Sequence, residues 1–121
     1  MNIDFIADTN FIIYLHEGNS IVEPFLEYNF GVSFISEIEL LGHKGISQLE
    51  EVNLKQLLND CFQIEWSSNL KEQTIRLKRE YSIKLPDAII AASCLLYETP
   101  LITADKGFSK IKELDLILIE I

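Results

Sequence analysis

Short apolar runs alternate with amphipathic segments along the chain, and most boundaries carry a helix cap or a stop signal. Residues 3–7 read as a strand buried on both sides. Residues 10–16 read as a helix that stops near Gly18, because glycine accepts the left-handed backbone of a helix end. The stretch Ser20-Ile21-Val22-Glu23 has the spacing of a capping box and predicts a second helix. Pro24 then falls in its first turn, where a missing N–H costs little. Residues 31–35 form a short strand. Ser36 and Glu39 repeat the capping spacing and start a third helix, which ends near Gly42. Ser47 and Glu50 repeat it again and start a fourth, running to about Asn59.

The second half continues the alternation. Residues 61–65 predict a third strand, and a basic helix follows over 69–81. Pro86 opens an apolar helix reaching about residue 98, and proline is favourable at a first helical position. Residues 101–103 predict a strand, 108–112 a short helix and 116–119 a last strand. Short apolar strands alternating with helices imply an α/β fold, a parallel sheet of four to five strands sandwiched by helices. Such sheets bind ligands beyond the carboxyl ends of their strands. The 121 residues suit one domain spanning 1–121, with no repeat, linker or low-complexity segment.

Composition narrows the function classes. With 48% hydrophobic residues the chain can fill a core. No apolar run approaches the roughly 20 residues that span a bilayer, and Met1-Asn2-Ile3-Asp4 lacks the basic start of a secretion signal. Cys61 and Cys94 form no metal-type spacing with His16 and His43. A cytoplasmic protein with reduced thiols is expected. The net charge of −9 excludes nucleic-acid binding by a global positive field. It leaves room for a nuclease whose cations and local basic groups neutralise the substrate. The basic residues are unevenly spread: Lys71, Arg76, Lys78, Arg79 and Lys84 fall close together, and Lys106, Lys110 and Lys112 follow Asp105. A solvated helix face is the plainer account of the first group.

Four carboxylates stand at the ends of apolar segments: Asp8, Glu39, Asp87 and Asp105. Each has an ordinary explanation. Asp8 or the nearby Asn10 suits a helix cap. Glu39 suits the third position of a capping box. Asp87 suits the first turn of a helix, and Asp105 suits a turn before Gly107. As a set they would meet at one sheet edge, where their repulsion calls for protons or cations. Oxygen-only ligation suits Mg²⁺ or Mn²⁺, and such a site stabilises charge on a phosphodiester in reaction.

The ordered set Asp8-Thr9-Asn10, Ile35-Ser36-Glu37-Ile38-Glu39-Leu40-Leu41-Gly42, Leu85-Pro86-Asp87-Ala88-Ile89-Ile90-Ala91-Ala92 and Leu101-Ile102-Thr103-Ala104-Asp105-Lys106-Gly107-Phe108 resembles the PIN domain. It is most similar to the VapC-like ribonuclease toxins of toxin–antitoxin modules, over nearly the whole chain. The resemblance implies Mg²⁺- or Mn²⁺-dependent cleavage of RNA. It assigns the catalytic and metal-binding roles to Asp8, Glu39, Asp87 and Asp105, with Thr9, Asn10, Ser36 and Thr103 supporting them. It further implies a homodimer and a small antitoxin whose tail covers the site. Two alternatives use the same observations. One is an inactive binding protein of the same fold. The other is a phospho-accepting receiver domain, which would need a mid-chain Asp ending a strand, whereas Asp60 precedes one.

Overall fold

The first apolar run forms β1 (Phe5–Ala7), and its two fully buried residues serve different cores. Ile6 packs on one side of the sheet and Ala7 on the other, as the two-residue period of a strand requires. The structure, a computed structural model, describes residues 2–120. β2 (Phe30–Ser33), β3 (Phe62–Ile64), β4 (Leu101–Thr103) and β5 (Leu116–Leu118) complete a sheet ordered β3-β2-β1-β4-β5. All four pairings are parallel, so the sheet expected from the sequence is present with five strands. Ile6 pairs in register with Gly31 and with Leu101. A side chain at Gly31 would come within 3.2 Å of Ile3 and Ile64 and 3.3 Å of Ile6, so the absence of one lets these isoleucines close over the strand.

Helices cover both faces. α1 (Thr9–Glu17), α2 (Phe34–Leu41) and α3 (Gln48–Asn59) contribute Phe11, Ile12, Leu40, Leu54 and Leu58 to the core that holds Ala7. α4 (Ser68–Glu80) and α5 (Leu85–Leu96) supply Leu70, Leu77 and the run Ile89–Ala92 to the core that holds Ile6. Burying Leu70 and Leu77 stabilises the fold by about 1.5–3 kcal/mol each. Every residue from Ala88 to Cys94 is buried, which explains why α5 reads as apolar all round. Its one hydroxyl is satisfied internally, Ser93 Oγ donating to the Ile89 carbonyl at 2.9 Å. The Cys94 thiol is pushed far up by burial, which suits an inert core residue. Among the described residues, no helix is long and apolar enough to cross a membrane.

Three capping boxes were expected, and one forms. Ser47 accepts from Glu50 N at 3.1 Å while the Glu50 side chain accepts from Ser47 N at 3.4 Å. At Ser20 the cap is instead Asn19, and residues Ser20–Phe25 form a 3₁₀ helix. Had Ser20 been the cap, Pro24 would occupy the position whose N–H closes the first α-turn, and proline has none. At Ser36 the expected box is displaced, because α2 starts at Phe34 with Ser33 as its cap. Ser33 Oγ accepts from Ile35 N at 3.2 Å, which also ends β2 two residues before the predicted limit. The short helix expected over 108–112 is a 3₁₀ helix over Lys106–Lys110. Ser47→Ala is expected to cost about 1 kcal/mol, whereas Ser20→Ala stays within about 0.5 kcal/mol. Urea denaturation measures both, and equal losses would refute the reassigned caps.

The strand order sets the location of a site. From β1 the chain steps outward to β2 and β3, then returns through α4 and α5 to β4 on the other side of β1. The order reverses between β1 and β4, so a crevice opens beyond their carboxyl ends. A receiver-like sheet has the order 2-1-3-4-5, which this topology excludes. Asp60 caps the end of α3 and precedes β3, away from any strand's carboxyl end.

Candidate active site

Asp8 directly follows β1 and is only 4% exposed. It is the N-cap of α1: Oδ1 accepts from Phe11 N at 2.8 Å. Oδ2 accepts from the Thr103 hydroxyl at the end of β4. Thr103 Oγ1 in turn accepts from Asp105 N at 2.9 Å. One chain of hydrogen bonds therefore joins the ends of the two strands at the switch point. Burial raises the Asp8 carboxyl above its ordinary value; the bonds from Thr103 and Phe11 offset part of this, while the charges of Asp105 and Asp87 add to it.

The other acids reach the same place from three elements. Asp105 is exposed and caps the short 3₁₀ helix, Oδ1 accepting from Gly107 N at 2.8 Å. Asp87 lies half-buried in the first turn of α5. Its carboxyl is raised by burial first, then by the charges of Asp105 and Glu39, against which Lys84 and Lys110 act. Glu39 is exposed on α2, with Thr9 Oγ1 2.7 Å from its Oε1. Thr9 Oγ1 also lies 2.9 Å from Ser36 Oγ, and Ser36 is fully buried. One hydroxyl has one proton, so Thr9 can donate to the carboxylate while accepting from Ser36. The capping role expected for Glu39 is overturned: it sits well inside α2, and its partner is Thr9 across the site. The capping and turn roles of Asp8 and Asp105 are real and coexist with their place in the cluster.

Asp8, Thr9, Asn10, Glu39, Asp87 and Asp105 together line one depression of about 190 Å³, with Ile90 as its apolar member. Among the described residues, no three Asp, Glu, His or Cys side chains stand close enough to form a ready-made metal cage. The carboxylates share a wall without converging on one point. Two of them, Glu39 and Asp105, are exposed, whereas Asp8 is held by two hydrogen bonds.

Two further depressions adjoin this one. A depression of about 550 Å³ shares Asp87 and Asp105 and is lined by Lys78, Lys84 and Lys110. A smaller one, of about 250 Å³, shares Thr9 and Glu39 and is lined by His16, His43, Ile13, Ile46 and Leu54. The two histidines therefore flank the acids and contribute nothing to the acidic depression itself. The basic helix expected over 69–81 divides its charges. Arg76 is committed to Glu113 and Glu80, Arg79 lines a separate depression, and Lys78 faces the acids' side. A local signal for Lys84 exists in the sequence: a lysine opening a helix opposes the helix dipole.

Fold and site define a doubly wound parallel-sheet protein with four carboxylates in one depression at its switch point. A family model for the PIN domain matches residues 5–114, and the chain belongs to the PIN domain family, with a VapC-like fold. A toxin–antitoxin complex from Klebsiella pneumoniae contains a chain 31% identical to this one; the match covers 98% of this chain and 100% of that one, with a TM-score of 0.84. VapBC2 from Rickettsia felis, bound to a DNA fragment from its promoter, is 19% identical over 96% of this chain and 98% of that one, with a TM-score of 0.84. VapBC-1 from nontypeable Haemophilus influenzae is 24% identical over the same shares, with a TM-score of 0.80. The last two likenesses speak to fold alone. Among curated proteins, no relative matches the chain.

Proposed function

We propose that this chain is a metal-dependent endoribonuclease, the toxin of a toxin–antitoxin pair. The observation that carries the proposal is the set Asp8, Glu39, Asp87 and Asp105 on the wall of one depression beyond β1 and β4. The donor chemistry fits Mg²⁺ or Mn²⁺, since every candidate ligand is a carboxylate oxygen. Asp8 and Asp87 are both raised by burial and by neighbouring acids, so the cluster carries negative charge that a cation would offset. Asp8, Glu39 and Asp87 would hold the ion, and Asp105 would complete the site. When bound, the ion would supply an activated water and stabilise charge on the phosphodiester.

The protein's own groups do the positioning. Thr103 and Phe11 N fix Asp8 in one rotamer, so the most buried ligand is set before anything binds. Thr9, backed by Ser36, draws the exposed Glu39 carboxylate to the same wall. Asn10 offers an exposed amide on the rim, where a substrate phosphate would pass. The likeness to a chain of a toxin–antitoxin complex supports an antitoxin partner. The depression of Ile13, His16, His43 and Leu54, rimmed by Glu17, Glu39 and Glu50, suits a partner segment with an apolar side chain beside a basic one. The same reading includes a homodimer.

The test is cleavage of single-stranded RNA by the purified chain, with Mg²⁺ or Mn²⁺ and with EDTA. Cleavage is expected only with metal. Glu39→Gln is expected to lower it at least about tenfold with an unchanged melting temperature, because Glu39 caps nothing. Cleavage that persists in EDTA would refute the metal requirement. Metal-independent RNA binding without any cleavage would favour the inactive relative of the same fold.

A further inference from the structure

Three lysines from different parts of the chain meet on one loop beside the acids. Lys78, on α4, donates from Nζ to the Ile83 carbonyl at 2.7 Å. Lys110, at the end of the 3₁₀ helix, donates to the Ser82 carbonyl at 3.0 Å. Lys84 follows directly in sequence and is the N-cap of α5, with no capping bond from its side chain. All three line the depression that shares Asp87 and Asp105 with the acidic one.

None of the three forms an ion pair with a carboxylate, and Lys84 and Lys110 act on the nearby Asp87 only through space. The ion pairs among the described residues are Lys55–Glu51, Arg76–Glu80 and Arg76–Glu113. The chain has 19 acidic and 10 basic residues, so unpaired lysines gathered in one place run against its composition. Each tethered ammonium keeps two N–H donors after its carbonyl bond. The tethers hold Lys78 and Lys110 in place, which lowers the ordering cost of engaging a ligand. A cation at the start of α5 opposes the helix dipole, and a bound anion would reverse that penalty.

We infer that Lys78, Lys84 and Lys110 form a track for the phosphate backbone of single-stranded RNA, leading it to the carboxylates. The inference rests on the ribonuclease reading and specifies how that site holds its substrate. The acidic depression is small and Asp8 lies at its buried end, so a strand that can be splayed open fits it and a closed duplex does not. Ammonium groups reading only phosphate give binding without base preference.

The experiment is fluorescence anisotropy of a labelled single-stranded RNA in EDTA, across a salt series. The wild type is expected to bind with log Kd rising linearly with log salt. Each phosphate contact contributes about 0.7 to that slope on a single strand. The triple change Lys78→Gln, Lys84→Gln and Lys110→Gln is therefore expected to lower the slope by about 2. The matching triple Lys→Arg protein should restore it, and Lys55→Gln, in an ion pair on α3, should leave it unchanged. A lower melting temperature with an unaltered slope would show that the lysines only staple the loop, and would overturn the inference. A wild type without salt-dependent RNA binding would overturn it too. Cleavage in Mg²⁺ with an unaltered slope removes the track and spares the ribonuclease reading. A lowered slope without any cleavage supports the track and removes that reading.

Discussion

Asp8→Asn is expected to fold as the wild type does and to cleave RNA at least about a hundredfold more slowly. Changes outside the ligand set of a metal site already cost about 10–100-fold, and Asp8 is the acid that the structure holds most firmly. Asparagine keeps a carbonyl oxygen for Phe11 N, so α1 retains its cap. The amide cannot accept the Thr103 hydroxyl with its second group, which costs about one hydrogen bond, or roughly 1 kcal/mol. Against this, a buried charge facing Asp105 and Asp87 is removed. The two effects oppose each other, and net stability should change by less than about 1 kcal/mol. Asp8→Ala separates the roles: it loses the cap as well, at about 0.5–2 kcal/mol. Cleavage rates and denaturation midpoints for both variants decide the matter. An Asn variant that is well folded and fully active would remove Asp8 from the chemistry.

Mn²⁺ is expected to raise the melting temperature by roughly 10 °C at a hundred times its dissociation constant. Binding to the folded state alone contributes about 2.7 kcal/mol at that excess, and a chain of this size converts each kcal/mol into about 4 °C. The effect should vanish in Asp8→Asn. Proton linkage gives an independent signature. The Asp8 and Asp87 carboxyls are raised from 3.8, Asp8 mainly by burial and Asp87 by burial and then by Asp105. An acid raised in the folded state contributes stability that is complete below 3.8 and lost as pH rises through the folded value. Without metal, these two groups therefore make the protein more stable as pH falls from neutral. Glu113 has the opposite sign. The Arg76 hydrogen bond lowers it from 4.5, and its contribution disappears as pH falls below that value. The metal-free optimum should thus lie on the acid side of neutral. With Mn²⁺ the trend toward neutral pH should invert, since carboxylates must be deprotonated to bind. A melting temperature that ignores Mn²⁺ at every pH would contradict the metal site.

Local rules succeeded where one residue determined the outcome. Gly18 ends α1 in the left-handed conformation at φ 68°, as its lack of a side chain allows. Ser47 and Glu50 close their box because both partners lie within one turn. The same pattern failed at Ser20, where the proline four residues on removes the α-helical bond, and at Ser36, where Ser33 captures the helix start first. Spacing records which bonds are available. Competition among neighbours decides which of them form.

Glu39 shows the same limit within the site. Its sequence context accounts for it as a cap, and its actual partner, Thr9, is 30 residues away. Asp8 and Thr103 are 95 residues apart and share one hydrogen bond. The lysines illustrate the converse. Their two clusters are visible in the sequence, but only folding commits Arg76 to Glu113 and turns Lys78 toward Lys84 and Lys110.

The sequence by itself determined the parallel sheet, its two apolar faces and the four acids, because periodicity and strand ends are properties of short segments. Tertiary structure alone decided which carboxylate is buried, which hydroxyl holds it and which cations stand beside it. Those outcomes depend on the β1–β4 switch point, where segments distant along the chain meet, and desolvation and charge coupling exist only once they have met.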